Sequence, residues 1–311
     1  MASRRLSRSW FPCAFALLAA VLSAVFAYGQ DASPAISFTF TSFDDPAAGT
    51  NGSTNGFGIN NAGVIVGSYN CVKNQQCHGF ARLPNGTYDN LNYPGATGTQ
   101  PVHINDSNQV VGYYTDSSNV LHGFQFTLPN TFTPINYPGA AQTQAFGINN
   151  SGQVVGEWYD SLGNGFGFSL LNGTYTELVY PNAIGTGASD VNTAGVISGI
   201  WEDTSKVTHG FLLSSAVNGT YSEVDYPGAV NTLVLGINDS SQVVGYYIDA
   251  SKVQHAWAGL PAKNEYITVD YPGTGWVGGV LVGISNAGHL SGGWLYTQNG
   301  GLYEHGYLAV P

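Results

Sequence analysis

The chain has 311 residues, with Lys and Arg 8 against Asp and Glu 19, and is 43% hydrophobic but only 9% charged. That apolar content excludes a disordered stalk. A net charge of −11 repels phosphate backbones and anionic lipid, so nucleic acid is not an expected partner.

The N-terminus reads as a leader. Arg4, Arg5 and Arg8 are followed by an apolar run from Cys13 to Ala27, with small residues at Ala27 and Gly29. This is the layout of a signal peptide over residues 1–29, leaving 30–311 as one domain. The run is short for a bilayer span, which needs about 20 apolar residues, so no membrane contact is expected after cleavage. The expected location is secreted, either extracellular or periplasmic. Past the leader only Cys71 and Cys77 remain, with five residues between them, and in an exported chain they are expected to form a disulfide.

From residue 36 onward the chain is built from one phrase. Ile36–Pro46 resembles the last strand of a repeat that lacks its first three. Six copies follow, anchored at Asn60, Asn105, Asn149, Asn192, Asn238 and Ser285, spaced 45, 44, 43, 46 and 47 residues apart. Each copy has four short segments rich in β-branched and aromatic residues. The first ends at an Ile or Val before a tight Asn-containing turn, and the second carries a Gly followed two places later by an aromatic. The third follows a His-Gly-Phe signal and the fourth closes on Tyr-Pro. Four strands per repeat of this length is the size of a propeller blade. The sixth copy has no Tyr-Pro strand of its own. The sequence therefore predicts an all-β, six-bladed β-propeller of four-stranded antiparallel blades, with segment 36–46 pairing against 275–311 to close the last blade and hide two sheet edges.

Residues needed in every copy are expected to serve the fold. Alternation puts the second-strand Gly and its aromatic on one face, which suggests packing between blades. Asp116 and His122, Asp203 and His209, and Asp249 and His255 each stand six apart, a spacing that suits a carboxylate pinning an imidazole across a loop. Residues that break the phrase are the sharper functional candidates. Before the strand-one Ile or Val, four copies have Gly where two have His103 and Asp190, which are expected to point into a central channel. After the second-strand Gly the variable position holds Tyr113, Glu157 and Tyr246, with Glu157 its one carboxylate. His103, Tyr113, Glu157, Asp190 and Tyr246 are therefore the candidate binding residues. A His/Asp/Glu trio can also serve acid–base chemistry on a glycan if it converges, but no catalytic residue is assigned. No His-x-x-x-His metal pair occurs and no cofactor is expected; Asp44-Asp45 is the one hint of calcium, without a complete ligand loop.

The phrase Gly-Ile-Asn-Asn/Asp-x-Gly/Asn-x-Val-Val-Gly-x-Tyr, followed by His122-Gly123-Phe124, His209-Gly210-Phe211 or His255-Ala256-Trp257, resembles the extracellular His-Ala-Phe repeat family of secreted bacterial proteins. The resemblance covers about residues 36 to 311 and implies export and repetition; it brings no catalytic residues. The expected function is a secreted binding or scaffold module, its ligand a glycan or an extracellular protein on the loop-bearing face. The alternatives are a glycoside hydrolase or polysaccharide lyase with a site at the channel mouth, and a structural, self-assembling envelope protein.

Overall fold

The computed structural model describes residues 37–49, 52–71, 76–127, 131–298 and 301–311, so the leader expected over 1–29 lies outside the described residues. Strand β1 is Thr39–Phe43. The first repeat gives β2 (Thr54–Ile59), β3 (Ile65–Tyr69), β4 (His78–Arg82) and β5 (Tyr88–Asn90). The second gives β6 (Gly98–Ile104), β7 (Val110–Thr115), β8 (Leu121–Thr127) and β9 (Thr131–Ile135). The third gives β10 (Gln142–Ile148), β11 (Val154–Tyr159), β12 (Gly165–Leu171) and β13 (Thr174–Leu178). The fourth gives β14 (Gly185–Val191), β15 (Ile197–Glu202), β16 (Thr208–Leu213) and β17 (Tyr221–Val224). Then come β18 (Asn231–Ile237), β19 (Val243–Ile248), β20 (Gln254–Leu260), β21 (Glu265–Thr268), β22 (Trp276–Ile284), β23 (Leu290–Gln298) and β24 (Gly301–Val310).

These strands form an all-β propeller arrangement with four discrete, four-stranded antiparallel sheets, one from each of the first four repeats. Each is an open meander whose first and fourth strands do not pair with one another. The expectation of six separate blades, the last closed by the N-terminal strand, is corrected here: the remaining strands form a single eight-stranded sheet. Strand β20 meets β22 in parallel at Gln254 and Gly278, and β1 is an outer edge of the joined sheet, running antiparallel to β24 from Thr39 opposite Val310 to Phe43 opposite Gly306. The cause of the fusion is local. Strand β22 starts with a bulge between Trp276 and Gly278, and its backbone meets β20 at Gly278. Gln254 Nε2 then donates to the Gly279 carbonyl at 3.0 Å.

The first strand of every repeat bulges one or two residues before its last residue, for example between Ala145 and Gly147 and between Val234 and Gly236. The bulge turns a carbonyl into the space beside the second-strand glycine. A β-carbon on Gly112, Gly156 or Gly245 would run into the carbonyl oxygen of Gln100, Gln144 or Leu233 respectively. The glycine is thus required by its own sheet and not, as alternation suggested, by a ring on the neighbouring one.

The tight turns weld adjacent repeats. Asn149 Oδ1 accepts from Ser151 N and Gln153 N within its own turn, and Asn149 Nδ2 donates to the Asn192 carbonyl at 2.9 Å. The same inter-repeat bond runs from Asn60 to Asn105, Asn105 to Asn149, Asn192 to Asn238, and Asn238 to Ser285. Ser285 has no amide to continue the series, and Asn286 N instead donates to Asn61 Oδ1 at 2.7 Å. Fully buried side chains between the sheets, among them Phe80, Phe124, Phe168, Phe211 and Trp257, supply the apolar core.

Candidate binding surface at the loop end

Antiparallel connectivity gives the molecule two ends. The turns after first and third strands lie at one, while the connections after second and fourth strands lie at the other, the loop end. The second, fourth, fifth and sixth repeats build the same side-chain stack there. The Tyr of one Tyr-Pro lies on the aromatic of the next second strand, and that aromatic lies on the third-strand imidazole. Tyr180, Trp201 and His209 stack with ring centroids 4.2 Å and 4.6 Å apart, and Tyr226, Tyr247 and His255 at 3.9 Å and 5.0 Å.

Carboxylates or amides then grip the imidazole. His122 Nε2 lies 3.2 Å from Asp116 Oδ2, as the six-residue spacing predicted. In the fourth and fifth repeats that separation opens to 3.9 Å for Asp203 and His209 and 3.7 Å for Asp249 and His255. The close partner is the residue before Tyr-Pro: His209 Nδ1 is 2.7 Å from Asp225, and His255 Nδ1 is 2.7 Å from Asp270. His78 meets Asn92, His122 meets Asn136, and His305 meets Asp44 in the same way. These partners were missed in the sequence, although a signal existed: where the third repeat has Phe166 in place of His, the residue before Tyr180-Pro181 is Val179 and not an acid or amide. The loop Asp residues are turn caps first. Asp116 Oδ1 accepts from Ser118 N and Val120 N, and these backbone bonds with His122 hold its carboxyl below the usual value. Burial lowers the basicity of His255, but Asp270 and Asp249 outweigh it and raise the net value.

The five candidate residues drawn from breaks in the phrase lie elsewhere and are buried. His103 and Asp190 do meet, with Nε2 3.2 Å from Oδ2. Asp190 also accepts from Val191 N at 2.8 Å and Ile237 N at 3.0 Å, tying the fourth repeat to the fifth. Glycines make room for the pair: a β-carbon on Gly58 would strike His103, and one on Gly147 would strike Asp190. Burial opposes the charge on His103, yet Asp190 and the Ile148 carbonyl raise its value overall. His103 forms part of the floor of a shallow depression at the turn end, rimmed by turn residues that include Asn61, Asp106, Asn150 and Asp239. Much of that rim's polarity is spent on itself: Asp106 accepts from Asn61 and Asn150, and Asp239 from Thr193 and Asn286.

Glu157 does not join His103 and Asp190. It is 0% exposed, sits opposite Gln144 on the neighbouring strand, and has Gly187 of the fourth repeat beside its carboxyl group. Burial drives its value well above the usual carboxylate range. Tyr113 packs edge-on against Phe146, and Tyr246 lies in an apolar cluster with Leu233 and Val282; burial raises the Tyr246 value strongly. Glu304, which the sequence did not single out, is also buried; burial pushes it up to about 7 against a hydrogen bond from Asn55.

Cys71 and Cys77 form a disulfide, and Gln100 Nε2 lies 3.1 Å from the Cys77 sulfur. Asp44 and Asp45 are engaged by protein groups, Asp44 with His305 and Asp45 Oδ1 with Ala47 N. Among the described residues one group has ligand atoms close enough to share a metal ion: those of His209, Glu223 and Asp225 lie within 4.8 Å of one another, with His209 and Asp225 already paired. Among the described residues no helix is long and apolar enough to cross a membrane.

No protein-family model and no curated protein matches the chain. Solved structures do resemble it. The Aleuria aurantia lectin in complex with Fucα1-6GlcNAc is 11% identical, with 83% of this chain and 96% of that one covered and a TM-score of 0.49. AofleA from Arthrobotrys oligospora is 11% identical over 86% of this chain and 82% of its own, with a TM-score of 0.48. The gluconolactonase XC5397 from Xanthomonas campestris is 8% identical over 83% of this chain and 86% of its own, with a TM-score of 0.47. At this distance the likeness concerns the propeller fold.

Proposed function

We propose that the protein is an exported, non-enzymatic binding module that recognises a glycan at its loop end. The observation that carries this reading is the recurrence, on that one end, of half-buried aromatic–imidazole stacks gripped by carboxylates or amides. The acids and imidazoles suit the hydroxyl groups of a sugar. Several weak copies on a rigid frame gain strength through multivalency. The repeat phrase supports placing the chain in the extracellular His-Ala-Phe family, and the leader over 1–29 supports secretion. Acid–base catalysis by His103, Glu157 and Asp190 is disfavoured, because Asp190 is consumed by two backbone N–H groups and Glu157 is sealed between repeats.

The test is a glycan array probed with the purified protein, with and without EDTA, beside the variant Asp225→Ala/Asp270→Ala. Sugar binding that weakens in the variant supports the reading, and EDTA sensitivity would add a cation at His209, Glu223 and Asp225. Binding to no sugar, together with a polymeric state in solution, would make the protein a structural one instead.

A further inference from the structure

The third repeat differs from the others at the loop end in a coordinated way. In the second, fourth and fifth repeats the loop after the second strand carries Ser118, Ser205 and Ser251; the third carries Leu162. Those repeats have His122, His209 and His255, where the third has Phe166. Their imidazole partners are Asn136, Asp225 and Asp270, where the third has Val179. Three polar positions of one cluster have thus become apolar together, while the backbone scaffold is kept: Asp160 Oδ1 accepts from Leu162 N and Asn164 N as Asp116 does in its own loop, and Phe166 stacks on Trp158 at 4.8 Å as the histidines stack on their aromatics.

Two of the three apolar side chains stay at the surface, while Phe166 is partly buried against Trp158. Leu162 is 79% exposed, Val179 45% and Ile184 50%. A grouped apolar surface on a rigid frame marks an interaction site. Its electrostatic setting is one-sided. From residue 139 to 184 the chain has no Lys, Arg or His, and the acids Asp160 and Glu177 flank the apolar positions.

We infer that the loop end of the third repeat is a docking surface for a protein segment that presents a large apolar side chain flanked by Lys or Arg. The apolar group covers Leu162, Phe166 and Val179, and the basic groups complement the acidic rim, which also speeds encounter. This site is separate from the glycan clusters, which the third repeat lacks.

The test uses a library of random dodecapeptides displayed on phage and selected against the immobilised protein. Enriched peptides centre on Leu, Ile, Phe or Trp beside Lys or Arg, bind less well as salt rises, and lose about tenfold in affinity for Leu162→Ser/Phe166→His/Val179→Asp. That variant installs side chains the other repeats already carry in the same scaffold, and a thermal melt confirms its fold. Glu177→Lys weakens the same peptides independently. The inference is overturned if no peptide is enriched over bare support, if enriched peptides lack basic residues, or if both variants bind them as well as the parent does. A dimer that the triple variant converts to monomer would also overturn it, assigning the surface to a second copy of the chain. Glycan binding is read in parallel, so its failure leaves the peptide result standing.

Discussion

Replacing Glu157 with Gln is expected to stabilise the protein at neutral pH. The carboxyl group is 0% exposed, and a hydrogen bond with the Tyr159 side chain lowers its value only in part against the effect of burial. In the unfolded chain the group titrates at its ordinary value of 4.5; in the folded protein burial raises that value well above it. The native state therefore holds the proton more tightly. This favourable contribution is fully present below pH 4.5 and is lost as pH rises toward the folded value. At pH 7 keeping the group neutral costs at most about 3.5 kcal/mol, from roughly 1.4 kcal/mol for each pH unit above the ordinary value. Gln has nearly the same shape and needs no proton, so Glu157→Gln recovers most of that cost at pH 7 and almost none at pH 4.5. The midpoint of thermal unfolding should rise by roughly 5–10 °C at pH 7. Urea denaturation of parent and variant, followed by tryptophan fluorescence at both pH values, measures the difference. A gain of equal size at pH 4.5, or no gain at pH 7, would refute the proton-linkage argument.

Two further substitutions probe the frame. Gly245→Ala forces a β-carbon against the Leu233 carbonyl, a backbone atom fixed by the bulge, and should cost about 2 kcal/mol; an unchanged denaturation midpoint would mean that the bulge yields freely. Asn149→Ala removes two acceptor contacts inside the turn and the amide bond to Asn192, for an expected loss of about 2–3 kcal/mol. Hydrogen exchange should show faster opening of the turns at both Asn149 and Asn192, and protection unchanged at Asn192 would argue against the inter-repeat weld.

The period of the phrase made the strands and their antiparallel order readable, because hydrophobic alternation and turn chemistry are local properties. What failed to show was whatever depends on where backbone atoms go between strands. The Gly before the strand-one Ile looked like a channel-lining residue. It sits where each bulge re-enters register, and the bulge is also what demands the second-strand Gly; an extra residue in one strand leaves the alternation of its partner untouched. The eight-stranded sheet is a similar case. Gly278 and Gly279 are visible as letters, yet only the approach of two strand edges turns them into a bridge.

The five candidate residues lie buried for a different reason. Breaking the phrase was taken as a mark of function, but in a propeller both faces of a sheet are covered by neighbours. A variable residue after the second-strand Gly, such as Tyr113, Glu157 or Tyr246, therefore adapts one interface between repeats. The loop end offers a better criterion. Polar residues whose partners change with them, as His and the residue before Tyr-Pro do, define a unit that extends beyond one strand. On that criterion the third repeat, where Leu162, Phe166 and Val179 change together and Leu162 and Val179 stay exposed, is where the phrase departs from itself at the surface.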